Sequence, residues 1–221
     1  MNIKSKLREY NVSYNSMFCI FMIGSILGFI LEGIWHIIRK GSWESHSATV
    51  WGPFCIIYGI AAAVLYVGAI FLKDKNILLQ FAVCAFAGSF IEYFSSLFQE
   101  FCFGSVSWNY SKQFFNIGGR ISLRMTILWG ILGVAFVRIL FPLIVSLLDL
   151  INKDKWNVYC ICLSVFMGIN LFLTSIAVLR WGERIGNPVD TPSNAVEAFL
   201  DERFDDERMS ETFPNMVFKD K

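Results

Sequence analysis

The chain has 221 residues, 55% of them hydrophobic and only 17% charged, with 22 phenylalanines and a net charge of +1. Soluble domains carry about a quarter charged residues, and a single soluble core of this length has no room for so much apolar surface. These figures exclude a disordered chain, a nucleic-acid binder and a small disulfide scaffold, and leave an integral membrane protein.

Five apolar stretches read as membrane spans, at 17–38, 53–72, 78–101, 123–147 and 156–178, each near the ~20 residues a bilayer needs. The first is too long for a signal-peptide core and no small-residue cleavage site follows it, so it reads as a retained span. Barrel strands would be about ten residues long and alternating, and helices are the only other way to satisfy backbone polar groups in lipid. The expected fold is an all-α polytopic bundle of about five transmembrane helices. Its connections are a medium one at 39–51, a tight turn at 73–76, a long polar and aromatic loop at 104–122 and a short link at 149–155. A membrane domain over 1–180 is followed by an acidic tail over 181–221. Val196, Phe199, Leu200 and Phe204 fall at helical spacing in 190–211, which predicts a short amphipathic helix. That tail is expected to fold back over the mouth of a polar pocket at one face of the bundle, with Arg203 or Arg208 facing acids.

Orientation rests on the basic residues. Lys4, Lys6, Arg8, Lys73, Lys75, Lys153 and Lys155 lie on the N-terminal side; Arg39, Lys40, Lys112, Arg120, Arg124, Arg180 and Arg184 lie on the other. Discounting Arg120 and Arg124 as site residues puts the N-terminus in the cytoplasm and the tail outside.

Charged residues inside spans are costly and default to functional candidates. Glu32 and Glu92 each lie about 14–15 residues into spans of the same direction, so ~21–22 Å along the axis. They reach similar depth toward the face away from the N-terminus. Glu100 lies two turns beyond Glu92, and His36 one turn beyond Glu32. Arg120 and Arg124, at i and i+4, open the fourth span at that face, where the second span brings Trp51, Pro53 and Tyr58. Gly24, Gly28 and Glu32 form one stripe, and Ala85, Ser89, Glu92 and Ser96 another; small residues there admit a neighbouring helix closely. Two readings stand: Glu32 and Glu92 pair with Arg120 and Arg124 to brace the bundle, or the cluster is a substrate or catalytic site. Arg138, four residues before Pro142, either snorkels to the N-terminal side or serves a function. Asn170 and Thr174 read as interhelical hydrogen bonds. The six cysteines read as small hydrophobes, and a Cys55–Cys102 disulfide is not favoured. With only His36 and His46, no histidine-rich metal centre is expected. Neither is an ATP-binding Gly-rich loop or a nucleophile elbow, and no cofactor is expected.

Further segments stand out together. They are Gly28-Phe29-Ile30-Leu31-Glu32, Gly52-Pro53-Phe54-Cys55-Ile56-Ile57-Tyr58-Gly59, Glu92-Tyr93, Glu100 and Phe103-Gly104. In the long loop stand Trp108-Asn109-Tyr110-Ser111 and Phe115-Asn116-Ile117-Gly118-Gly119-Arg120-Ile121, then Trp129-Gly130. The tail adds Leu200-Asp201-Glu202-Arg203-Phe204-Asp205-Asp206-Glu207-Arg208-Met209 and Phe213-Pro214-Asn215. In these segments, which cover most of the chain, it resembles the ABC-transporter permease family of the CmpB-like, type IV group. The family pattern has Asp where Asn109 stands, and Pro where Ile56 and Asp205 stand. The resemblance implies a multi-pass transport permease of the bacterial plasma membrane working with a separate ATPase subunit.

The leading reading is therefore a transporter-type protein. Glu32, Glu92, Glu100, Asn109, Tyr110, Asn116, Arg120 and Arg124 would line a polar pocket at one membrane face, with Trp108 and Tyr58 as its aromatic wall. Acids and arginines together suit a zwitterionic or amphipathic substrate, a membrane lipid headgroup among them. One rival is an intramembrane enzyme using a buried glutamate as general base and an arginine to hold the anionic group. Another is an assembly subunit in which the charges are structural.

Overall fold

The computed structural model describes residues 12–148, 153–187 and 191–219. Helix α1, Tyr14–Lys40, begins where the Ser13 hydroxyl accepts the Ser16 N–H and ends at Gly41, whose φ of 77° suits glycine. Helix α2, Ile56–Leu72, has 17 residues, about 25 Å of rise. Asn76 caps α3, Ile77–Phe103, which stops at Gly104 in the left-handed region. After the two-residue strand β1, Ser105–Val106, Ser122 caps α4, which runs Leu123–Leu148 with a wide π turn at Phe136–Leu140. Helix α5 spans Lys153–Gly186. The tail holds α6, Ala195–Arg203, α7, Asp206–Thr212, and β2, Val217–Phe218, which pairs antiparallel with β1. Helices α1, α3, α4 and α5 are long and apolar enough to cross a membrane, and α2 is a shorter apolar helix.

Two antiparallel hairpins make the bundle, and small residues set both. In the first, Gly24 faces Ala62, Gly28 lies under the Tyr58 ring and Gly59 abuts Ser25. In the second, Gly88 lies under Trp129 and Gly133 against Cys84. A methyl at Gly28 or Gly88 would overlap the facing aromatic ring, so these glycines allow the backbone approach that brings Tyr58 and Trp129 inward. Ile20, Tyr66, Leu72, Phe136, Val137, Phe141 and Val145 form the core at the end where α1 begins.

At the opposite end, 41–55, 104–122 and the tail interlock. Ser45 Oγ donates to the Thr212 carbonyl at 3.2 Å, Asn215 Nδ2 to Glu44 Oε1 at 2.8 Å, and Lys219 N–H to the Gly104 carbonyl at 2.9 Å. Asn170 and Thr174 of α5, expected to bond another helix, bond instead the loop backbone of Trp51 and Val50.

Several expectations need correction. Arg120 is not helical; it precedes the Ser122 cap, so it and Arg124 do not form a helical i, i+4 pair. Helix α5 continues past 178 to Gly186, because Arg180 and Arg184 there meet the acids of the tail. The single helix expected in 190–211 is two, divided where Asp205 caps α7 by accepting the Arg208 N–H. The cysteines are free thiols. Lys4, Lys6, Arg8, Asp190 and the link 149–152 lie outside the described residues.

Candidate functional site

Two carboxylates rise from the paired hairpins. Glu32, half-buried on α1, accepts the Tyr58 hydroxyl of α2 at 2.5 Å. Glu92, only 4% exposed on α3, accepts the Trp129 indole N–H of α4 at 2.5 Å and the Tyr110 hydroxyl at 2.8 Å. The Tyr58 and Trp129 rings lie 6.0 Å apart between them. Burial, and then the charge of Glu92, push the Tyr110 phenol above its ordinary range, so at neutral pH it stays a donor. Among the described residues, no arginine or lysine pairs with Glu32 or Glu92; their partners are neutral donors.

The arginine expected at those carboxylates sits higher. Arg120 pairs with Glu100 and donates to Ser96 Oγ at 3.1 Å. Lys219 Nζ reaches the other Glu100 oxygen at 2.5 Å. Eight residues of α3 separate Glu100 from Glu92, about 12 Å of rise, so this ion cluster forms a rim above the deep glutamates. Trp108 holds the rim through its indole N–H, which donates to the Arg120 carbonyl at 3.0 Å.

The asparagines shape the loop. Asn109 Oδ1 accepts the Ser111 N–H at 2.8 Å, and Asn116 bonds the Ser111 and Gln113 carbonyls and the Gly119 N–H. Asn116 also borders an open depression of about 430 Å³ with Phe115, Ile117, Ile121 and Thr126. Arg124 is exposed on the first turn of α4, and its charge is felt at Tyr110. The structure thus joins Glu32 with Tyr58, Glu92 with Tyr110, and Glu100 with Arg120 and Trp108. It leaves Asn109 and Asn116 as loop brackets and Arg124 at the edge.

The sequence reading singled out neither Trp129 nor Lys219 for the site. Trp129 had a signal in Gly88, a small residue on the facing helix. Lys219 had none, since its place depends on strand pairing between β1 and β2.

The tail closes the same end with reversed charges. Arg180, 4% exposed, binds both oxygens of Asp201 at 2.9 and 2.8 Å, and Arg184 binds Asp201 and Asp206. The tail therefore supplies acids to arginines of α5. Arg208 instead donates to the Arg203 carbonyl and lies over the Phe204 ring, and among the described residues neither Arg203 nor Arg208 pairs with an acid. Leu200, Phe204, Met209 and Phe213 bury against Ala177, Val178 and Trp181, while Val196 and Phe199 stay exposed.

Four helices long and apolar enough to cross a membrane, with the shorter apolar α2 among them, define an all-α protein of multi-pass membrane type. Residues 19–175 match the family described as putative ABC-transporter type IV, and the chain belongs to that family. No curated protein and no solved structure matches it.

Proposed function

We propose that the protein is the membrane-embedded part of a transport system, and that it binds a zwitterionic or amphipathic, lipid-like substrate at the Glu32–Tyr58–Trp129–Glu92–Tyr110 cluster. The observation that carries this reading is a pair of carboxylates on apolar helices that, among the described residues, are served by neutral donors. A purely structural network would match acid with base, as Asp201 does with the buried Arg180. Carboxylates without a fixed countercharge are suited to take a cationic group or exchange a proton. In this reading exposed Arg124 receives the anionic end of the substrate, while Arg120 and Glu100 hold the rim.

The family supports an ATPase partner. With the N-terminus inside, the short 73–76 turn offers such a partner little to grip; with the opposite orientation the loop and tail become its surface. Co-purification of an ATPase with the tagged chain tests that element separately.

The test of the site is binding of a labelled phosphatidylcholine or phosphatidylethanolamine by purified protein in micelles, beside thermal melts. Glu32→Gln and Glu92→Gln should each lose binding while keeping the melting temperature. Loss of stability in step with loss of binding would make the cluster a brace. Chemical turnover of the lipid by the purified chain would assign catalysis to the same glutamates instead.

A further inference from the structure

We propose that Arg138, held by the buried Gln80, forms a phosphate-binding site at the face where α1 begins, filled by the headgroup of an acidic phospholipid. This site lies at the opposite end of the bundle from the glutamate cluster and does not depend on it.

The local sequence explains the geometry. Pro142 has no N–H to give the Arg138 carbonyl, and its ring would crowd that oxygen in a regular α-helix. The helix widens just before it, with the Phe141 N–H bonding the Phe136 carbonyl five residues back. Such wide turns recur at functional positions. Here Val137 is buried and Arg138 lies at the exposed surface of α4.

Gln80 is fully buried, and its whole amide is used. Nε2 donates to the Leu72 carbonyl at 2.8 Å and to the Lys75 carbonyl at 3.1 Å, and Oε1 accepts from Arg138 Nε at 2.8 Å. One rigid side chain therefore ties the α2–α3 turn to the guanidinium. With Nε engaged on Gln80, the rest of the exposed Arg138 guanidinium makes no further hydrogen bond among the described residues. Among the described residues, no carboxylate pairs with Arg138. The turn bound by the same amide also carries Lys75, exposed beside this site.

Depth selects the ligand. Gln80 and Glu100 lie twenty residues apart on α3, about 30 Å of rise, which equals the hydrocarbon thickness of a bilayer. With the Arg120–Glu100 rim at one headgroup plane, Gln80 and Arg138 fall at the other. A charge kept at that plane calls for a counterion, because a neutral side chain could satisfy Gln80 equally well. A planar two-pronged donor matches the oxygens of a phosphate, and phospholipids supply phosphates at that level.

The full chain, purified from mixed phosphatidylglycerol and phosphatidylcholine micelles, tests this by native mass spectrometry of retained lipid. Wild type should keep phosphatidylglycerol in preference to phosphatidylcholine. Arg138→Gln should weaken that retention about tenfold, and Arg138→Lys should fall between, since it keeps charge but not the fork. Melting temperatures in phosphatidylcholine alone should agree among the three. Inorganic phosphate added to lipid-free micelles separates the sources. If it stabilises wild type but not Arg138→Gln, with no preference for phosphatidylglycerol, the site stands but its ligand is a soluble anion. Retention by Arg138→Gln equal to wild type would overturn the proposal. So would an equal loss of stability with and without phosphatidylglycerol.

Discussion

The indole of Trp129 does two jobs at one point. Its ring fills the space left by Gly88, and its N–H serves the 4%-exposed Glu92. Replacing it by phenylalanine keeps most of the ring and removes the donor. A buried acceptor left short of a partner costs about 1–3 kcal/mol, so Trp129→Phe should lower the melting temperature, and Trp129→Phe combined with Glu92→Gln should cost less than the sum of the two. Melts of the single and double variants measure that coupling. Backbone geometry at Ile56 and Asp205 suits the prolines that the resemblance leads one to expect there. Ile56 is the first residue of α2 and follows Cys55 in extended backbone, a position where proline fits well. Asp205 has a φ of −63°, close to that of proline, yet here its carboxylate caps α7. Asn109 accepts a backbone N–H through Oδ1, a role an aspartate oxygen fills equally.

Along the elements, the tail is where charge chemistry decides docking. Arg180 foremost, then Arg184, hold the Asp201 carboxyl below the usual aspartate range. The Ser193 backbone and hydroxyl do the same for Glu197. A carboxyl lowered on docking contributes stability above its free value, about 4 for aspartate, and loses it as pH falls through the lowered docked value. Protection factors across Ala195–Arg203, referred to the intrinsic exchange rate at each pH, should therefore be high at neutral pH and fall under acid below about 4. Exchange that is already complete at neutral pH would contradict docking. The helices themselves were legible in the sequence because an 18-residue apolar run has few other fates. So was the similar depth of Glu32 and Glu92, which needs only the rise per residue. Their partners were not legible. Tyr110 reaches Glu92 through a loop whose path depends on the Trp108, Asn109 and Asn116 bonds, and those same bonds keep Arg120 at the rim with Glu100. Arg180 and Arg184 read as topology charges in the sequence alone, because only the folded tail sets Asp201 and Asp206 against them.

For the whole molecule, the decisive question is which side of the membrane carries the cap. The structure gathers 41–55, 104–122 and the tail at one end, and leaves the 73–76 turn and the start of α1 at the other. Four helices long and apolar enough to cross a membrane, and the shorter apolar α2, separate the start of α1 from the tail. The rim residues Arg120, Arg180 and Arg184 are all engaged by carboxylates, so they present little free positive charge to hold that end in the cytoplasm. Lys75 is exposed at the opposite end, and Arg138 meets no carboxylate among the described residues. The positive-inside bias therefore favours a cytoplasmic N-terminus and an external cap. A phosphatase fused after Lys221, active only outside, should be active, and a fluorescent reporter that matures only in the cytoplasm should be dark at the same position. The reverse pattern would turn the cap inward and make 41–55, 104–122 and the tail the surface an ATPase would meet. It would also move the glutamate cluster to the inner leaflet and Arg138 to the outer.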